Sequence, residues 1–270
     1  MATLPENIKK NLRPIKKWAE LRLNTIGSRH QCYICRKTFH HFYRFRGGST
    51  ATPPFVRELD MIGSDVDNFS CPHCRSSDRE RHLFMYFDRL RLWDSIAGGI
   101  VLHFAPEKNL RDAIVRLKPK EYIQGDLFPS EEQIRRIDVT AIGFPEEYFD
   151  FIICNHLLEH VPKDNQAMGE LCRVLKREKL AVIQVPFSRM LSKSFEDDKI
   201  NTDELRRRFY AQEDHVRIYG EDLFSRLEGA GFEVMLQKHQ VLLPDLDSGF
   251  YGVNPREDLI LVKRRESGLS

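Results

Sequence analysis

The 270-residue chain contains no apolar run near the roughly 20 residues that a bilayer-spanning helix needs. Its polar, lysine-rich start also lacks the apolar core of a signal peptide, so the expectation is a cytoplasmic protein without stable membrane insertion. A charge surplus is missing too: 42 basic side chains nearly cancel 40 acidic ones, leaving +2, so no overall field steers the molecule onto nucleic acid. Any basic patch is local, and between Lys9 and Arg46 eleven basic residues face the single acid Glu20. There is no internal repeat and no low-complexity tract. Cysteine is scarce, with six in the chain, and in a reducing compartment these argue against disulfides. What is present, a 41% hydrophobic content over this length, suffices for one large domain and a small appendage. Ile8, Leu12, Ile15 and Ala19 recur at helical spacing and predict a short basic amphipathic helix within residues 1–30, with Pro14 as a kink.

Four of the six cysteines form two C-x-x-C pairs, "CYIC" (Cys32, Cys35) and "CPHC" (Cys71, Cys74). Each pair holds two thiolates across a tight turn, and together they offer the four ligands of a tetrahedral zinc. Phe39, Phe42, Tyr43 and Phe45, then Gly47, Gly48 and "TPP", suit short strands and turns around a metal. Residues 31–82 are therefore expected to form a zinc ribbon. With four thiolates the site is coordinatively closed and structural in kind.

From about Ile100, within an expected domain 83–270, strands alternate with helices, which predicts a mainly parallel sheet covered on both faces. "GIVLHFAP", "EYIQGDLF" and "RRIDVT" supply three strands, the second ending at Asp126 and the third near Asp138. "FDFIICN" is apolar enough to be central, and "LAVIQVPF" is the fifth strand. "FEVMLQKHQVLL" and "DLILVKRR" read as a final hairpin.

"HLLEH" (His156 to His160) fits the H-x-x-E-H pattern of one group of zinc peptidases. Such a site needs both histidines on one face of a continuing helix, whereas here the motif leaves a buried strand and meets Pro162, which disfavours helix at Val161. At most one turn is available and no third ligand is evident in the sequence. The peptidase reading fails.

The run Asp138 to Pro186, with "FPEEYFD", "HLLEH" and "RVLK" in that order, resembles the class I S-adenosylmethionine-dependent methyltransferases of the type 11 group. The resemblance extends back to Val101 and forward to Val234, about two thirds of the chain. It implies an α/β, Rossmann-like sheet, mainly parallel with a final antiparallel hairpin, beside the small N-terminal zinc ribbon. It also implies that the turn His103, Phe104, Ala105 and Glu107 faces the methionine end of the cofactor. Asp126 then accepts from the ribose hydroxyls with Leu127 beside it, and Asp138 and Val139 meet the adenine. Asn155 and His156 stand beside the sulfonium, outside the carboxyl ends of the strands. Two features depart from the family: "HFAPE" replaces an acidic residue and a glycine-rich turn, and "KREK" replaces "kpgG". A "CP.C.S..R.R" segment like "CPHCRSSDRER" resembles a zinc-ribbon subgroup of these enzymes.

Methyl transfer from a sulfonium is an in-line displacement that depends mainly on positioning, with a base needed only for a poorly ionised acceptor. His156, His160 and His215 are the candidate bases, and Arg217 and Tyr219 the candidate acceptor ligands. Ser188 to Asp214 occupies the place of a substrate lid. Balanced charge favours a small-molecule acceptor, a sugar or a natural-product intermediate methylated on oxygen or nitrogen, over the alternatives of an RNA held by the basic segment and zinc ribbon and a non-catalytic module that no longer takes the cofactor. The sequence sets no oligomeric state.

Overall fold

The computed structural model describes residues 25–266; the expected basic helix of residues 1–30 lies almost wholly outside them. Strands β1 (His30–Gln31) and β2 (Thr38–Phe39) form a small antiparallel pair that carries Cys32 and Cys35 in its turn. β3 (Met61–Ile62) follows a short helix, Pro54–Glu58. The large sheet comprises β4 (Ile100–Phe104), β5 (Glu121–Asp126), β6 (Arg135–Arg136), β7 (Phe149–Asn155), β8 (Leu175–Gln184), β10 (Phe232–Gln237) and β11 (Leu259–Arg264), while β9 (Phe187–Ser188) pairs with β3. Its order is β10-β11-β8-β7-β4-β5-β6, parallel except for β11, which runs antiparallel to both neighbours. The α/β fold with a mainly parallel sheet and a final antiparallel hairpin is therefore the one the sequence implies.

Alternation along the central strands divides the core. Leu102, Phe104, Ile152, Cys154, Ala181 and Ile183 pack on one face against the helices Asp164–Val174 and Asp222–Gly229. Val101, Phe151, Ile153 and Val182 pack on the other against Asp78–Leu90 and Lys108–Arg116. Both faces being covered, these strands read as continuous apolar runs. The connection from β4 passes to β5 on one side and the chain then returns to β7 on the other. The carboxyl ends of β4 and β7 thus border the crevice where open α/β sheets bind ligands.

Three strand expectations shift. The third strand shrinks to Arg135–Arg136, because the Asp138 carboxylate accepts from the Thr140 amide (2.8 Å) and hydroxyl (2.7 Å) and turns the chain off the sheet edge. The fifth begins at Leu175 and ends at Gln184, leaving Phe187–Ser188 to pair with β3. The hairpin's first strand stops at Gln237: Asp258 takes the His239 amide at 2.9 Å, and His239–Leu242 becomes a helical turn.

The cysteine-bearing module docks through Arg81, whose side chain is fully buried. Its guanidinium donates to Asn68, Phe69 and Ser76 of the module at 2.5, 3.1 and 2.8 Å, and to Tyr251 and Gly252 of the hairpin loop at 3.0 and 2.6 Å. It also lies 4.0 Å from the centre of the Phe42 ring. The helix Asp78–Leu90 runs through the expected 82/83 boundary, starting beside the second cysteine pair and ending against the large sheet.

Candidate active site

The four cysteine sulfurs lie within 4.8 Å of one another, with Cys32 to Cys74 at 3.6 Å and Cys35 to Cys71 at 3.8 Å. A tetrahedron with zinc–sulfur bonds of about 2.3 Å has edges of about 3.8 Å, so this donor set fits a zinc ion. Two residues on, Ser76 and Ser77 lead into the helix Asp78–Leu90, where Ser77 and Glu80 form a capping box.

Glu80 also reaches across to a second helix. Its carboxylate accepts from the Asn109 amide at 2.9 Å and the Leu110 amide at 3.3 Å, supplying the anion at the start of Lys108–Arg116. This changes the expected part of Glu107, which by position is that helix's N-cap. The Glu107 side chain makes no capping hydrogen bond. Instead it turns into the β4/β7 crevice, 3.0 Å from His103 Nε2 and accepting from Asn155 Nδ2. Burial pushes the Glu107 carboxyl up, but the hydrogen bond and charge of His103 and the Arg79 charge outweigh burial and hold it below the usual carboxylate range. His103 is buried and its Nδ1 meets the Tyr122 hydroxyl at 2.8 Å. Ala105 adopts φ 45°, a left-handed backbone that favours glycine, the residue the resemblance implies there.

The other expected cofactor residues line the same sheet end. Asp126 ends β5, with Oδ1 accepting from the Phe128 amide at 2.8 Å. Asp138 is exposed in its turn, Leu127 is 42% exposed, and Phe104 and Val139 are buried. Asn155 ends β7, and its buried Oδ1 has no hydrogen-bond partner among the described residues.

His156 follows at φ 50°, held by its amide to Gln184 O at 2.7 Å. Its buried ring lies between Glu159 (3.3 Å) and Glu257 (3.6 Å). Burial and the Arg79 charge disfavour its imidazolium, yet the two flanking carboxylates prevail and raise its pKa above the ordinary value. The single turn expected for "LEH" is a 3-10 turn, Leu158–His160. The sequence shows no third ligand beside that motif, but the fold brings one: His215 stands with its ring centre 4.7 Å from that of His160, and burial pushes its pKa down to about 4.

A cavity of about 720 Å³ opens beside these residues, lined by Arg79, His156, Glu159, His160, His215 and Arg217 on one side. Thr52, Val56, Met61, Ile62, Gly63 and Phe69, from the segment between the cysteine pairs, form the other. Tyr210 to Gln212 and Asp214, from the expected lid, close it, and Tyr210 packs with Val56 and Ile218. Arg217 and Tyr219 were expected to meet the acceptor; Arg217 lines the cavity and Tyr219 does not, and both make hydrogen bonds within the protein. Arg217 donates to the carbonyls of Leu158, Val161 and Pro162 and to Glu196. The Tyr219 hydroxyl is buried against Asp164 at 2.9 Å. They brace the turn that carries Glu159 and His160.

Residues 102–183 match the family model described as a methyltransferase domain. No curated protein matches the chain. Among solved structures, an S-adenosylmethionine-dependent methyltransferase from Mesorhizobium loti is 12% identical, with 67% of this chain and 98% of that one covered, at a TM-score of 0.45. A second, from Archaeoglobus fulgidus, is 15% identical over 70% and 96%, with a TM-score of 0.45. A 1,6-didemethyltoxoflavin-N1-methyltransferase from Burkholderia thailandensis is 15% identical over 70% and 87%, with a TM-score of 0.41.

Proposed function

From the match of residues 102–183 to a methyltransferase domain, we propose that the protein moves the methyl group of S-adenosylmethionine onto an oxygen or nitrogen of a small molecule seated in the 720 Å³ cavity. The observation behind this reading is adjacency. Asn155, at the end of β7, reaches Glu107 in the crevice, and the next residue, His156, lines the cavity. The cavity's volume lies in the range of about 300–1,000 Å³ usual for small-molecule sites, and its walls join apolar side chains to a few polar ones.

When bound, the cofactor supplies an electrophilic methyl on a sulfonium. The chain's own residues orient it. Asp126 accepts from the ribose hydroxyls, Asp138 and the Val139 amide meet the adenine, and the ionised Glu107 faces the methionine ammonium. The orphaned Asn155 Oδ1 is a further acceptor in the same crevice. His156, held toward its charged form by two carboxylates, donates to the acceptor rather than taking its proton. The four cysteines hold a structural zinc that fixes the start of the helix Asp78–Leu90, and through Glu80 the turn that carries Glu107.

The test is calorimetric titration of S-adenosylmethionine into wild-type protein and Asp126→Ala. Losing hydrogen bonds to a charged group should weaken binding by about 1.5 to 3 kcal/mol, roughly 10- to 150-fold, with the fold intact. Unchanged affinity in the folded variant would show the ribose elsewhere. Turnover assays then compare small hydroxylated and amine compounds with RNA. Salt-sensitive methylation of RNA alone would replace the small-molecule reading.

A further inference from the structure

We propose that Glu159, His160 and His215 form a binding site for a divalent transition-metal ion in the wall of the cavity, separate from the four cysteines. One ligand atom from each of the three lies within 4.8 Å of the others. The Glu159 side chain is 2% exposed, and its Oε2 has no hydrogen-bond partner among the described residues. Oε1 faces the His156 ring at 3.3 Å, and leaving Oε2 unpartnered at that depth is costly, so it is the oxygen offered to a cation.

The two imidazoles are arranged for the same end. His215 Nδ1 is 3.0 Å from the Tyr210 carbonyl, and His160 Nδ1 is 3.2 Å from the Asp214 carbonyl. A carbonyl only accepts, so each Nδ1 carries the proton and each Nε2 the lone pair. A metal-bound histidine is usually oriented in this way, by a hydrogen bond from its other nitrogen. The two rings stand at 83° to each other. The supporting backbone is fixed as well: the Val216 amide donates to the Glu159 carbonyl at 2.9 Å, joining the segments that carry the three ligands.

Two nitrogens and one oxygen suit zinc, cobalt, nickel, iron(II) or manganese, and three protein ligands leave positions open. Glu159, His160 and His215 all line the cavity, so those positions would receive an oxygen of the methyl acceptor. This last role rests on the proposed function; metal binding does not.

The probe is Co²⁺ added to zinc-loaded full-length protein without cofactor or acceptor. Cobalt held by nitrogen and oxygen shows weak visible bands without thiolate-to-cobalt charge transfer, which separates this site from the cysteines. One Co²⁺ per chain is expected, with His160→Ala and Glu159→Gln each binding at least about tenfold more weakly. His160 has 30% of its side chain exposed, so its removal should leave the melt unchanged if Glu159→Gln misfolds. Absence of cobalt binding outside the cysteines, or equal binding by folded His160→Ala, would overturn the proposal. Because S-adenosylmethionine titration is a separate measurement, failure here leaves the cofactor reading intact.

Discussion

Changing Glu107 to glutamine removes one charge from the β4/β7 crevice and almost no volume. The carboxylate now has two partners, His103 at 3.0 Å and Asn155, and makes no hydrogen bond to the helix it precedes. Glutamine keeps an acceptor oxygen for Asn155 and turns an amide toward His103. His103 can meet it through its other tautomer, donating from Nδ1 to the Tyr122 hydroxyl. The expected loss of fold stability is therefore about one net hydrogen bond, ~1 kcal/mol, or roughly 2–4 °C in a protein of this size. Cofactor binding should suffer more. A hydrogen bond to a charged group contributes about 1.5–3 kcal/mol, so Kd for S-adenosylmethionine should rise roughly 10- to 150-fold. S-adenosylhomocysteine, which keeps the ammonium, should lose the same factor. Calorimetry with both ligands, beside ligand-free thermal melts, separates the two effects. A folded Glu107→Gln with unaltered affinity for both would refute the assignment.

Three further outcomes follow from the geometry. Metal analysis of freshly reduced protein should find about one zinc per chain bound by cysteine, and Cys32→Ser should lose it and lower the melting temperature. Glu80→Ala strips the acceptor from the Ser77, Asn109 and Leu110 amides. It should cost about 2–4 kcal/mol, roughly 5 to 15 °C, and a shift within error would mean those amides find other partners. Asp78, buried and near the Glu257 charge, has its pKa raised from 3.8 to about 7, burial being the larger cause. Between these values the folded state binds the extra proton, so stability falls as pH rises from about 4 through about 7. Asp78→Asn should then match wild type near pH 4 and exceed it near pH 8, by at most about 4 kcal/mol, in denaturant titrations. No gain at the higher pH would refute the assignment.

Much of this was legible along the chain, where the signal was local. β4, β7 and the second half of β8, Leu180 to Ile183, are mainly apolar runs because both faces of each are covered, and the cysteine pairs announce themselves by spacing. Boundaries failed where a distant side chain decided them, as when Asp258 ended the strand before His239. The positions of Asp126 and Asn155 at the ends of their strands, and of Asp138 in the turn that follows the third, were legible. Glu80 and Glu257 were overlooked because their partners are far away in sequence, although Ser77 and Glu80 do carry the S-x-x-E pattern of a capping box. Arg217 and Tyr219 carry partners the sequence did not announce: Arg217 donates to the carbonyls of a neighbouring turn and to Glu196, and the Tyr219 hydroxyl donates to the Asp164 carboxylate.

The cavity's walls come from the stretch between the cysteine pairs, from Arg79, from His156 to His160 just after β7, and from the segment after β8, whereas the crevice lies at the ends of β4 to β7. On the proposed function, the residues assigned to the cofactor and those that wall the cavity therefore meet only at the step from Asn155 to His156. Exchanging residues 45–69 for the corresponding stretch of a relative would recast one wall of the acceptor space while every side chain assigned to the cofactor stayed in place. On the proposed function, the small module would then act as an interchangeable selectivity element, able to change the acceptor while leaving the cofactor residues untouched.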